Sequence, residues 1–299
     1  MSESLQDRVR RTLAQEVRSE VAGYARMLGE EAGASAVLFY GSNLRTGSLE
    51  GVLDFYVLLP GPQRERIWPR VSYCERPFEG DILRAKIATM SLDKFAQAAT
   101  GRSRDTTIWT RFVQPSALVW AKDEPSRSAV EDAIGHAART AARFAAVLGP
   151  ERARAQDYWQ ALFQATYRAE FRVEKPGRED SILSVNAEHF DGLLPLAWDA
   201  EGVPIKRGPD DTLKPGMGDR RRAKIMKAWR ARQRLGKPLN ILRLAKATTT
   251  FEGAARYGAW KLERHTGIAL EVTPFREKHP LLAMPGAAWE LWRKRRRSG

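Results

Sequence analysis

Phe39-Tyr40-Gly41-Ser42 is followed, after a polar and glycine-rich stretch, by Leu53-Asp54-Phe55-Tyr56-Val57. The apolar run Ala36–Tyr40 is long enough for a buried strand, and Val52–Leu59 predicts a second, stopped by Pro60-Gly61-Pro62. Gly41–Gly51 between them is expected to be a loop. Such a pair of strands sets a Gly-Ser bend beside a strand-borne carboxylate. Gly41 lets the backbone approach a phosphate group with no side chain in the way. Ser42 and the adjoining N–H groups can donate to phosphate oxygens. Asp54, flanked by apolar residues, is placed to hold Mg²⁺ against those phosphates. An aspartate that only caps a turn at a strand end has the same signature.

Outward from this segment the pattern is mixed. Leu5, Val9, Leu13, Val17, Val21, Tyr24 and Leu28 recur at three- and four-residue steps, which predicts one amphipathic helix over residues 4–31, closed by Gly33. Residues 61–80 contain Pro62, Pro69 and Pro77 and are expected to be irregular with a short helix. Asp81–Met90 predicts a third strand, Ser91 an N-cap for a helix over Leu92–Ala99, Thr106–Phe112 a helix or turn, and Ser116–Trp120 a further strand. Beyond Pro125 the texture is helical: Ala129–Leu148, Ala155–Phe171 and most of Glu179–Ala197. Gly202–Gly218 is expected to be a linker or long loop. It precedes a basic helix over Asp219–Leu235, an interrupted helical stretch over Leu239–His265 and a short terminal helix over Ala287–Arg297. The expected class is α/β (α+β): a mixed-sheet domain over 1–123, a helical, winged-helix-like domain over 124–200 and a basic helical region over 201–299.

The chain has 299 residues, 43% of them hydrophobic, so it can bury a sizeable core. No apolar run reaches the roughly 18–20 residues needed to cross a bilayer. Met1–Arg11 alternates acid and base and does not resemble a secretory signal. A single cysteine, Cys74, excludes an internal disulfide and a cysteine-based metal cluster, and four scattered histidines show no ligand spacing. A reducing, cytoplasmic compartment is expected. The net charge of +14 points to a polyanionic partner, whether nucleic acid, acidic lipid or a phosphorylated substrate, although a simple solubility charge has the same composition.

A strand running into Gly-Ser, then a strand with an apolar-flanked aspartate, resembles the polymerase-β-type nucleotidyltransferase fold. That fold usually has a second acid two residues after the first, where this chain has Tyr56. The mitochondrial-type phosphatidate cytidylyltransferases, the translocator-assembly-and-maintenance family, lack it. Their Tyr-Gly-Ser and Leu/Ile-Asp-Phe are similar to Tyr40-Gly41-Ser42 and Leu53-Asp54-Phe55. Their lysine-bearing strand leading to a Ser-Leu helix start resembles Ala85-Lys86-Ile87-Ala88-Thr89-Met90-Ser91-Leu92. Ile108–Ser116 and Thr166-Tyr167-Arg168-Ala169-Glu170-Phe171-Arg172-Val173 resemble two further family segments. Gly177-Arg178-Glu179-Asp180 and Phe190-Asp191-Gly192-Leu193-Leu194 follow in the family's order, so the likeness is collinear over about 36–198. It departs at Gln114, a lysine in the family, at Ala169, a glycine, in the missing lysine after Asp180, and in a shorter loop between the first two strands.

The resemblance implies transfer of CMP from CTP to phosphatidate, yielding CDP-diacylglycerol and pyrophosphate, with Mg²⁺. Asp54 is then a metal ligand and Glu170 the second, with Glu50 and Asp81 as nearer alternatives. Lys86 stabilises charge on the reacting phosphates. Arg111 and Arg172 bind phosphate bidentately, and Tyr167 stacks on cytosine. Each also has a plain structural reading: a solvated strand lysine, surface ion pairs, a packed tyrosine. The helix with Arg220, Arg221, Arg222, Lys224, Lys227, Arg230, Arg232 and Arg234 carries Met226 and Trp229 on its less charged side, and the tail Trp289–Arg297 repeats that theme. Tryptophan beside base suits an anionic membrane surface, so peripheral attachment to the inner face of the membrane is expected. Two other classes fit the same residues: a nucleotidyltransferase acting on RNA or a small molecule, and an inactive lipid- or nucleic-acid-binding module.

Overall fold

A computed structural model describes residues 3–78, 81–170, 178–250, 253–266 and 272–278, with Gly286 and Trp289. In chain order the elements are α1 (Leu5–Leu13), α2 (Ser19–Glu31), β1 (Ala36–Tyr40), α3 (Ser42–Thr46), β2 (Leu53–Leu59), β3 (Arg70–Phe78), β4 (Asp81–Ser91), α4 (Leu92–Ala99), α5 (Thr107–Phe112) and β5 (Ser116–Ala121). There follow α6 (Glu124–Leu148), α7 (Ala155–Ala169), α8 (Arg178–Val185), α9 (Ala187–Phe190), α10 (Leu193–Ala200), β6 (Ile205–Arg207), β7 (Leu213–Pro215), α11 (Asp219–Thr250), α12 (Ala254–Thr266) and α13 (Pro274–Lys278). The fold is mixed α/β. A five-stranded sheet has the order β3-β4-β2-β1-β5. The β2–β4 pair is parallel, and the other pairs are antiparallel.

Side-chain alternation divides the core in two. Val37, Phe39, Phe55, Val57, Leu83, Ala85 and Ile87 face α2, meeting Val21, Tyr24, Ala25 and Leu28. Leu38, Tyr40, Tyr56, Leu58, Ala88 and Met90 face the other way into a larger core. This explains why the helix expected over 4–31 is two helices. Leu5, Val9 and Leu13 belong to the larger core, whereas Val21, Tyr24 and Leu28 belong to the smaller one. One straight helix cannot reach both faces of a sheet. The break is pinned by Gln15, whose side-chain amide donates to Thr12 O at 3.0 Å and Ser116 O at 3.1 Å.

The proline-rich stretch expected to be irregular contains β3. Pro69 precedes the strand, and Pro77 lies on a sheet edge, where a missing N–H breaks no ladder. The expected loop after Ser42 contains the short α3. It is stapled by buried Asn43, which donates to the carbonyls of Ser48 and Glu50 at 2.9 and 2.8 Å. The stretch 202–218 forms the β6–β7 ribbon, and Tyr158 OH donates to Leu213 O at 2.7 Å.

The alanine-rich α6 is the axis of the larger core, because small residues let neighbouring elements approach closely. Trp109 stacks on Phe144 at 5.2 Å, and Trp198 donates its indole N–H to Ala142 O at 2.8 Å. Trp229 of α11 also packs on Phe144, at 5.5 Å, and is only 2% exposed. This corrects the expectation of an interfacial tryptophan on that helix. An apolar ring that completes a core gains more by leaving water than by sitting at its surface. Part of the helix's charge is likewise engaged. Arg222 donates to Ala146 O and Val147 O, the carbonyls at the C-terminal end of α6, and Arg221 donates to Glu201 O at 2.8 Å. Arg232 is buried and donates to Ser103 O and Ala228 O, and burial pulls its pKa down to about 10. The tail helix expected over 287–297 lies outside the described residues except for Trp289, which is exposed. Among the described residues, no helix is long and apolar enough to cross a membrane.

Candidate active site

The register of the sheet builds the site. Tyr40 on β1 stands opposite Asp54 on β2, and Asp54 opposite Lys86 on β4. Cross-strand partners point to the same face, so the three side chains form one row on the side of the larger core. The next row inward, Leu38, Tyr56 and Ala88, is buried beneath the helices. At the polar row the cover ends, leaving the side chains of Asp54 and Lys86 28% and 40% exposed, with Nζ of Lys86 3.7 Å from Oδ1 of Asp54.

Gly41, between β1 and α3, has φ 92° and ψ −164°, a region that side-chain-bearing residues avoid. A methyl group there would stand 3.0 Å from Oδ2 of Asp54. The glycine therefore serves two ends: it makes the turn and admits the carboxylate against the backbone. Ser42 is exposed, begins α3, and directs its hydroxyl toward Asn43 Oδ1 at 3.4 Å.

Tyr40, Gly41, Asp54 and Lys86 form the floor of a cleft of about 1020 Å³. Tyr40, Gly41, Asp54, Lys86, Arg111 and Tyr167 all line it. Arg111 of α5 donates to the Tyr40 hydroxyl at 2.7 Å and lies 5.0 Å from that ring's centre. Burial pushes the Tyr40 phenol well above its ordinary pKa, so it stays neutral. Burial also weighs most on Arg111, against its charge, but the Asp54 carboxylate and the hydrogen bond to the Tyr40 hydroxyl favour the cation, and its pKa stays above the ordinary value. Gln114 lines the cleft and donates to Thr110 O at 2.9 Å.

Two expected residues stand elsewhere. Ser42 is not in the cleft lining, and neither is Glu170. Helix α7 ends at Ala169, and Glu170 continues in extended conformation, φ −97° and ψ 150°. Its side chain is buried and accepts from the Thr106 hydroxyl. Glu50 is exposed outside the lining, and Asp81 lies at the hairpin end of β4, paired with Phe78. Arg172 lies outside the described residues.

The opposite wall, not among the expected site residues, is formed by α8 and α9, where Ile182, Val185, Asn186, Glu188 and His189 line the cleft. No spacing in the sequence marks them. Arg45, exposed on α3 within the stretch expected to be a loop, is part of the lining as well. His189 Nε2 is 2.8 Å from Val113 O, and burial holds its imidazole below the ordinary pKa.

Among the described residues, no group of three or more His, Cys, Asp or Glu side chains could hold a metal ion. The cleft offers the hard oxygens of Asp54 and, on the facing wall, Glu188. Mg²⁺ commonly takes one or two protein carboxylates and fills its octahedron with water and substrate phosphates. The donor set therefore fits a Mg²⁺ that arrives with a nucleotide, not a caged resident ion. No protein-family model and no curated protein matches this chain.

Proposed function

We propose that this chain is a nucleotidyltransferase that takes CTP into the cleft and transfers CMP to phosphatidate. One observation carries the reading: a single carboxylate and a lysine stand side by side on adjacent strands, against a glycine-only turn, at the floor of a nucleotide-sized cleft. In the reaction a phosphate oxygen of phosphatidate bonds to the α-phosphorus of CTP. The bond from that phosphorus to the bridging oxygen breaks, and pyrophosphate leaves with the electron pair. Mg²⁺, when bound, neutralises the triphosphate's charge. Asp54 orients that charge, Gly41 lets the phosphates approach the backbone, and Lys86 offers a cation beside the reacting group. Arg111, braced by Tyr40, and Arg45 add positive potential along the floor.

The choice of a lipid acceptor rests on the collinear likeness of residues 36–198. The bilayer contact does not fall to Trp229, which is core. It falls to the outward stripe of α11, where Lys227, Arg230, Arg234 and Lys237 recur at helical spacing and lead to the exposed Ile241 and Leu242. Each such cation near an anionic surface contributes about 1 kcal/mol.

The test is incubation with α-phosphate-labelled CTP, Mg²⁺ and phosphatidate vesicles, with RNA as a parallel acceptor. Labelled CDP-diacylglycerol from the wild type, lost in Asp54→Asn with an unchanged circular dichroism spectrum, is the expected result. Label in RNA alone would move the reading to a different acceptor. An absence of any nucleotide product, or full activity of Asp54→Asn, would overturn it.

A further inference from the structure

We propose that His189 reads the nucleobase, selecting one whose edge carries an amino group, cytosine over uracil. This rests on the cleft being a nucleotide site. His189 Nε2 is 2.8 Å from the carbonyl oxygen of Val113. A carbonyl only accepts, so Nε2 carries the hydrogen, and the neutral ring then has a bare lone pair at Nδ1. Among the described residues nothing hydrogen-bonds to Nδ1, and His189 lines the cleft.

The ring is also held in place. Phe190 meets it edge-on at 5.1 Å and is itself buried against Trp159 and Phe163. Val113 caps α5, the helix that carries Arg111, so the ring and the floor share one support. Asn186, its neighbour on this wall, has its amide engaged with Ile182 O at 2.8 Å. Burial, aided by Arg8 of α1 and opposed by the bond to Val113, keeps the imidazole neutral at pH 7.

A neutral ring offering only an acceptor is a poor partner for phosphate oxygens. Lys86 of β4 and Arg45 of α3 attract the triphosphate to the floor of the cleft, beside Asp54 and Gly41. The nucleoside is left for the α8–α9 wall. There Nδ1 can accept from the 4-amino group of cytosine, whereas uracil presents a carbonyl oxygen at that position, lone pair against lone pair. One such bond, with its mismatch penalty, corresponds to roughly 10–100-fold discrimination.

Dissociation constants for CTP and UTP, with Mg²⁺ at pH 7.5, would be measured by calorimetry on the full chain and on His189→Phe. The wild type is expected to prefer CTP by about 10–100-fold. His189→Phe should bring the two nucleotides within about threefold, by weakening CTP, which loses its acceptor, and strengthening UTP, which no longer meets an opposed lone pair. Retention of the preference in the variant would overturn the proposal and leave the nucleotide site standing. If the wild type binds neither nucleotide, the functional reading fails as well. A second measurement needs no variant: nitrogen-15 imidazole spectra of the wild type. The Nδ1 resonance of His189 should be that of an unprotonated nitrogen and should shift on CTP addition. A protonated Nδ1, or a resonance indifferent to CTP, would equally refute the assignment.

Discussion

Replacing Gly41 with alanine tests the heart of the site, because two independent effects meet at one methyl group. The first is conformational. At φ 92° and ψ −164° an alanine sits in a region that costs of order 1–3 kcal/mol. The second is steric. The new methyl would lie 3.0 Å from Oδ2 of Asp54, so the carboxylate must give way by a few tenths of an ångström. Its other oxygen, Oδ1, faces Lys86 at 3.7 Å, and the displacement disturbs that pair too. Urea unfolding of Gly41→Ala should therefore show a loss of about 1–3 kcal/mol. Nucleotide turnover should fall by about tenfold or more, since small misplacements of a positioning group are costly. Gly33→Ala is the control. Gly33 also has positive φ, 56°, but nothing lies within 4 Å of the added methyl. It should cost about 1–2 kcal/mol and leave CTP binding and turnover alone. Unfolding of Gly41→Ala within about 0.5 kcal/mol of the wild type would refute the strained turn. A fall in stability with turnover per folded molecule unchanged would show that the carboxylate does not rest on this backbone.

Trp229→Ala should lower stability by about 3–5 kcal/mol, read by chemical denaturation, because the ring fills the space beside Phe144; weaker vesicle binding at unchanged stability would contradict its burial. Arg243→Met strands the buried Asp105, whose carboxylate lies 2.6 Å from Arg243 Nη1. A loss of about 3 kcal/mol is expected, with most of it recovered when Asp105→Asn is added, as a double-mutant cycle would measure. Burial depresses the imidazole pKa values of both His136 and His189 from 6.5. As the pH falls the unfolded chain protonates first, so this contribution is intact above pH 6.5 and is lost between 6.5 and the lower folded values. The stability gap between wild type and His189→Gln should change on going from about pH 7.5 to 5.5, and a gap independent of pH would sink the assignment.

The central part of the fold was legible because local signals and tertiary demands agree there. Ala36–Tyr40 and Leu53–Leu59 are strongly apolar because helices cover both faces of the sheet there. Asp54 beside the Gly-Ser bend could thus be anticipated, whereas Lys86 joins it through the parallel β2–β4 pairing, which no local signal marks. The edge strand β3 could not, because its prolines carry the local signature of irregular chain and are tolerated only through its edge position. The division of residues 4–31 was hidden for another reason. Helical periodicity records that a residue is buried, not which side of a sheet buries it. The basic helix misled in the same way: Trp229 beside arginines suits a membrane surface in sequence, yet α6 supplies an apolar groove for the ring and carbonyls for Arg222.

Glu170 shows how one or two residues of helix decide a site. A helix running on to Phe171 would set Glu170 three residues beyond Tyr167, on the same face and toward the same cleft. With α7 ending at Ala169, the backbone turns extended at Glu170, and the carboxylate is carried to Thr106 instead. The cleft's own second carboxylate is Glu188, exposed on the facing wall. The two acids should therefore behave oppositely. Glu170→Ala leaves a buried hydroxyl without its acceptor and should lower stability by about 1–3 kcal/mol, with the Mg²⁺ concentration for half-maximal turnover unchanged. Glu188→Ala should leave stability within about 0.5 kcal/mol, as for an exposed residue, and raise that Mg²⁺ requirement several-fold. Magnesium titrations of both variants, beside urea curves, separate the cases. A shifted Mg²⁺ requirement in Glu170→Ala at full stability would return that acid to the metal and discard the account of where α7 stops.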